Sequence, residues 1–485
     1  MNKKHLWIII ITLVVIIALV GVLIFSRSCK KEPKPTETTT TLVPTDPKAN
    51  IVHHIKERGK NGIAEMDYVE SDLTKDSTQY QDRLAKFTVG LSLLTYGVRG
   101  RTKDPVEDAI AQIKDSGTES GQSLYTEAEE KYTKNKGGDS DGKFSPFWIF
   151  KRNEPIRMDG ENCNIVFVIV QGTQAEEWSS NFESGLNDKV HKGFDIAANE
   201  VFDSLKETMK LLANEKTKII ITGHSRGGAV ANLVAAKIDE GLGDSVFTDV
   251  TKDDVFAYTY ATPNVSRANV KNAKYQNIFN IVNPEDFVTR VMPSEWGYGR
   301  YGQTLNLPSS NKNNSQAAYK KYLEKARNIA EQFDGVKYEP FPGGTKTIDY
   351  YMKSVSDDVK NNKEYYKKSL NKHSEDDKYS LHYFYRTIIG AAMGASDGGK
   401  NDLKDKARDV LFNTIRGFYG KVGTATLKFL LTNQGMAMIF EKYPQAKNIA
   451  GKFVKSDFSK YFESAHQIET YYAFVNVLDE DDYVK

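Results

Sequence analysis

The chain has 485 residues, 39% hydrophobic and 11% aromatic, enough apolar material for one large domain with an insertion or for two domains. Lys and Arg (66) nearly balance Asp and Glu (64), and no basic block stands out in the body of the chain, which argues against nucleic acid as a partner. Two cysteines, Cys29 and Cys163, exclude a disulfide framework and a cysteine-based zinc site. With no HExxH, P-loop or complete calcium loop either, no metal or cofactor is expected.

Residues 6–25, LWIIIITLVVIIALVGVLIF, carry no charge. As a helix they span a hydrocarbon core of roughly 30 Å, and they exceed the apolar region of about 7–15 residues typical of a cleaved signal peptide. We therefore expect a transmembrane anchor over residues 1–26. Lys3 and Lys4 precede it, whereas Arg27, Lys30, Lys31 and Lys34 follow, so the positive-inside count alone leaves the body in the cytoplasm. Against that, the Pro/Thr-rich stretch 33–48, within a linker spanning 27–50, resembles the spacers that hold bacterial enzymes off a membrane surface. The body is expected to be extracytoplasmic, at the cell surface.

Beyond the linker, LAKFTVGLSLLTYG (84–97) reads as an apolar helix packed beside the core, and GGDSDGK (137–143) as a turn. Cys163 precedes a strongly apolar run and reads as a buried small hydrophobe. Between about 160 and 290 short apolar runs alternate with helical patterns. IVFVIV (165–170), KIIIT (218–222), VFAYTYA (255–261) and NIFNIV (277–282) are continuous runs, expected of strands covered on both faces. Phe194, Ala197, Val201, Phe202, Leu205, Met209 and Leu212 form one helical stripe, and AVANLVAAKI (229–238) an alanine-rich helix. The alternation predicts an α/β fold with a mainly parallel central sheet.

Ser225, in GHSRG (223–227), falls between the run 218–222 and the helix 229–238. A G-x-S-x-G serine in that context is a nucleophile elbow, with Gly223 and Gly227 leaving room for close backbones. His224 adjoins the serine, but neighbouring side chains at so tight a turn point apart, so it reads as elbow structure. The acid should follow a strand beyond the serine. Glu285 and Asp286 do, and Asp286 is taken as the acid, whereas Asp253 and Asp254 precede theirs, at the wrong end of a parallel sheet. With the chain order Ser, acid, His of α/β-hydrolases, His373, His382 and His466 remain as candidate bases.

QGT (171–173), Trp178, VHKGF (190–194), GHSRGGAVANLVA (223–235), YTYATPNVS (258–266) and NPEDFVTRVMP (283–293) occur in this order. Together they resemble the class 3 lipase family of α/β-hydrolases, over roughly 160–300. The resemblance implies an α/β-hydrolase fold and a serine-dependent carboxylic ester hydrolase acting on acylglycerols or related lipid esters. It implies Ser225 as nucleophile, Asp286 as acid, and the N–H groups of Thr173 and Arg226 as oxyanion donors. SAHQIETYYAFV (464–475) resembles the family's closing histidine segment and favours His466 as base over His382, in KYSLHYFYRT (378–387). His373 reads as solvated surface.

Gln171 stands where the family usually has Arg, and Arg226 where Leu is frequent. A guanidinium at the pocket would favour polar or anionic headgroups. A phospholipase, another serine acyl hydrolase, or an idle binding protein on the same scaffold are the alternatives. Between Asp286 and His466 lie 179 residues. Segments 315–333 and 402–419 read as one-faced helices, and 390–399 as a small-residue hinge. The expected organisation is a hydrolase core over 51–300, a helical insertion over 301–455 that is either a lid or a scaffold, and a C-terminal return over 456–485.

Overall fold

The computed structural model describes residues 45–97, 104–114, 122–131, 145–172, 186–187, 189–212, 216–286, 288–290, 294, 297–309, 316–340, 345, 349 and 464–484. The chain divides into two units, Met1–Val43 and Pro44–Lys485. The expected anchor, the turn at 137–143, Thr173, Trp178, His373, His382, the segment 402–419 and the hinge at 390–399 lie outside the described residues. Among the described residues no helix is long and apolar enough to cross a membrane.

Twelve strands are described: β1 (His53–Arg58), β2 (Ile63–Tyr68), β3 (Tyr125–Lys131), β4 (Phe147–Arg152), β5 (Ile156–Met158), β6 (Glu161–Val170), β7 (Leu186–Asn187), β8 (Val190–His191), β9 (Lys216–His224), β10 (Val255–Tyr260), β11 (Ile278–Val282) and β12 (Gln303–Asn306). Eight of them form one sheet in the order β12-β11-β10-β9-β6-β4-β3, with β5 also on β6. The five strands β6, β9, β10, β11 and β12 pair in parallel, and β3, β4 and β5 add an antiparallel flank. The anticipated α/β fold with a mainly parallel sheet is thus present.

Continuous apolar runs make these strands because each residue must bury its side chain on one face or the other. Along β6, Ile165, Phe167 and Ile169 enter one core layer, and Val166, Val168 and Val170 the opposite one. Helices α1 (Asp82–Leu94), α5 (Gln316–Ala330) and α6 (Ile468–Val477) contribute to the first layer, and α3 (Lys192–Leu211) and α4 (Arg226–Glu240) to the second. A short helix, α2 (Pro105–Ile110), lies beside α1 in the first. Tyr319, Tyr322, Ala326 and Ala330, spaced three or four apart, form the buried stripe of α5.

Some features depart from the sequence reading. The helix expected over 84–97 is α-helical over Asp82–Leu94 and closes in a 3-10 turn at Thr95–Gly97. Before the parallel strands the chain also supplies the hairpin β1–β2 and the flank β3–β5, which the sequence reading did not single out; β1 and β2 alternate buried and exposed positions and so form no continuous apolar run. β12 pairs with β11, so the sheet extends past 301, where the helical insertion was expected to begin. At the other end, residues 45–50 of the expected linker are tied to the fold at two points: Ala49 is buried, and the Asp46 N–H donates to Arg157 O at 2.9 Å.

Candidate active site

At the C-terminal end of β9 the chain turns at Ser225 directly into α4. Ser225 has φ 58° and ψ −123°, a backbone state that costs a non-glycine residue about 1–3 kcal/mol. The turn holds because its flanks have no Cβ. One on Gly223 would lie 2.4 Å from Gly227 O, and one on Gly227 2.4 Å from Val170 O. The Ser225 N–H donates to Tyr260 O at 2.9 Å, tying the turn to β10.

Asp286 follows β11 and is fully buried. Its Oδ1 accepts from the Val288 N–H at 2.9 Å, and its Oδ2 from Tyr471 Oη at 2.8 Å. Burial and the neighbouring Asp286 push the Tyr471 phenol well above its ordinary pKa, so it stays a donor. His466 lies just before α6, its Nδ1 2.8 Å from Asp286 Oδ2 and its Nε2 2.9 Å from Ser225 Oγ. Its side chain is 12% exposed, and Ser225 is 5% exposed. Three residues distant in the chain therefore stand in hydrogen-bonded series.

The donor proposed from Arg226 is the first N–H of α4, where helix N–H groups lack intrahelical acceptors and the helix end favours negative charge. Arg226 is 4% exposed and its Nε donates to Ser145 Oγ at 3.0 Å, so the guanidinium expected at the pocket belongs to a buried residue. Gln171 is also buried and its side-chain amide donates to Thr95 O, directed at the turn after α1. The expected second donor, Thr173, is outside the described residues.

His224 follows the expectation for elbow structure in that its ring makes no hydrogen bond to Ser225. Its Nδ1 is 2.7 Å from Tyr96 Oη and its Nε2 is 2.9 Å from His466 O. Burial first, then the nearby His466, hold its pKa well below the ordinary value. His191 of VHKGF is buried too and is lowered to about 3, by desolvation and then Arg226. Its Nδ1 accepts from the Phe194 N–H at 3.4 Å, capping α3. Cys163 is buried, and burial raises its thiol. No group of three or more acidic, His or Cys side chains suited to a metal occurs among the described residues.

Sequence reasoning missed Tyr96, Asn283 and Tyr471. Tyr471 had a signal, lying in the segment that carries His466. Asn283 sits in NPED beside the acid, and its Nδ2 donates to Ala465 O at 3.0 Å. Tyr96 had none, since 128 residues separate it from His224.

Residues 164–296 match the family model described as lipase (class 3). The secreted mono- and diacylglycerol lipase 1 of Fusarium solani is 28% identical over 155 residues, which cover 30% of this chain and 44% of that protein. The chain thus spans less than half the length of this curated relative. Similar solved structures include a triacylglycerol lipase described as having a serine protease triad at its catalytic centre, 18% identical with TM-score 0.31, covering 50% of this chain and 80% of that one. Another is the triacylglyceride lipase of Rhizomucor miehei, 19% identical with TM-score 0.30, covering 49% and 79%.

Proposed function

We propose, from the match of residues 164–296 to the class 3 lipase family model, that the chain is a serine-dependent carboxylic ester hydrolase acting on acylglycerols or related lipid esters. The observation that carries this reading is the His466 imidazole bridging Ser225 Oγ and Asp286 Oδ2 at 2.9 and 2.8 Å. In the proposed reaction His466 Nε2 takes the proton of Ser225 as Oγ attacks the ester carbonyl. The oxyanion accepts from the Arg226 N–H and from Thr173. The intermediate collapses to an acyl-enzyme as His466 returns the proton to the leaving alcohol, and water then repeats the sequence to release the acid. Asp286 keeps the imidazole in the tautomer with its proton on Nδ1 and stabilises the imidazolium, while Tyr471 and the Val288 N–H hold the carboxylate in place. The reaction needs no cofactor.

The apolar run 6–25 supports a membrane anchor and the linker after it an extracytoplasmic body. Acyl substrates at or near a membrane surface suit such a tether.

The full chain and its Ser225→Ala variant, assayed against nitrophenyl esters of increasing chain length, test the proposal. Expected is hydrolysis that the variant loses by about 10⁶ in kcat, with long acyl chains preferred. Turnover that survives in Ser225→Ala, or no turnover together with no phosphonate labelling of Ser225, rejects it.

A further inference from the structure

Three successive carbonyls in the segment carrying His466 are each taken by a different side chain. Thr470 Oγ1 donates to Ser464 O at 2.6 Å, Asn283 Nδ2 to Ala465 O at 3.0 Å, and His224 Nε2 to His466 O at 2.9 Å. The third donor is unlike the others, because it is the residue before Ser225. A carbonyl only accepts, so His224 carries its proton on Nε2 and leaves Nδ1 as an acceptor. Tyr96 Oη, 2.7 Å away, is the donor that Nδ1 requires. Its approach is built into the chain: a Cβ on Gly172 would lie 2.1 Å from the Tyr96 hydroxyl and 2.5 Å from His224 O.

This arrangement is also electrostatically suited to its place. The rings of His224 and His466 have centroids 5.0 Å apart. Burial keeps His224 neutral, so that His466 can take up a proton without facing a second imidazolium.

We propose that His224 is a positioning residue for ester hydrolysis: with its tautomer fixed by Tyr96, it holds the backbone of His466 where Nε2 reaches Ser225 Oγ. The inference rests on the serine-hydrolase reading above. The clamp joins the base-carrying segment to β9, the strand that carries the nucleophile, so both partners of the proton transfer are fixed to one element. Displacing reacting groups by about 1 Å can cost on the order of 100-fold in rate.

The test uses the full chain, with active sites titrated by a phosphonate so that kcat refers to competent molecules only. Loss of folded protein lowers the titre, whereas misplacement of His466 lowers kcat per titrated site. His224→Leu is expected to lower that kcat about 100-fold with KM within about twofold. His224→Gln, which restores a neutral N–H donor, should recover about tenfold of the loss. A His224→Leu kcat per site within twofold of the parent overturns the proposal, as does a Gln variant no better than Leu. Should His224→Leu fail to fold, Tyr96→Phe carries the test, with kcat per site expected to fall about threefold to tenfold and an unchanged value overturning the clamp. Absence of Ser225-dependent turnover in the parent is a separate result: it rejects the hydrolase reading itself, and the positioning role with it.

Discussion

Asp254 and Asp286 are both fully buried, at opposite ends of the same parallel sheet. Asp254 precedes β10 and pairs with a lysine ammonium, Lys218 Nζ at 2.7 Å, with Lys216 Nζ at 3.8 Å. Thr251 donates to it from both its N–H (2.8 Å) and its hydroxyl (2.6 Å). Asp286 follows β11 and faces an imidazole, a phenol and a backbone N–H instead. The nearby Arg300 is directed at backbone, donating to Thr262 O and Thr289 O. Burying a carboxylate is costly at either end and must be offset by partners. At the first end the partner is a lysine ammonium that makes an ion pair, so the site serves to stabilise. At the second the partner is a group that gains and loses a proton, so the same buried charge can assist a reaction.

Exchanging each acid for its amide tests this contrast. Asp286→Asn should lower kcat by about 10⁴ because the imidazole loses the acceptor that fixes its tautomer, with only a small change in melting temperature. Steady-state kinetics beside a thermal melt separates the two effects, and a collapse of stability with kcat per site intact would erase the distinction. Asp254→Asn should do the opposite. It leaves Lys218 buried without its counter-charge, and denaturant unfolding should show a loss of about 3–5 kcal/mol with kcat retained.

A third buried acid sharpens the comparison. Asp239, near the end of α4, accepts from Asn277 Nδ2 at 3.1 Å, and its Oδ2 has no partner among the described residues. Burial pushes it up to about 7. The folded chain then holds a proton that the unfolded chain releases near pH 4, so this group lowers stability as pH rises from about 4 to about 7. Asp239→Asn should remove that dependence. Its stability relative to the parent is expected to grow across the same window by about 3 kcal/mol, and a pH-independent difference would contradict the shift. The smallest effect is expected for Tyr471→Phe, which removes one of three donors to Asp286 and should lower kcat about tenfold. A drop as deep as that of Asp286→Asn would mean the phenol does more than hold the carboxylate.

The amino-acid sequence determined the parallel strands, because a strand covered on both faces is apolar along most of its length, as 165–170 is throughout and 218–222, 255–261 and 277–282 are at most positions. It determined the elbow, since only residues lacking a Cβ fit where Gly223 and Gly227 meet backbone at 2.4 Å. It singled out Asp286 by its place after a strand, and His466 by its resemblance to a known segment. The tertiary structure alone decided that His466 stands between Ser225 and Asp286, and that Tyr96, Asn283 and His224 hold the segment around it. It also decided that Arg226 is buried and that the sheet continues through β12. These arrangements are single contacts between residues far apart in the chain, and such contacts impose no period and no local composition. Only the folded sheet, bringing the ends of β6, β9 and β11 to one edge, sets them side by side.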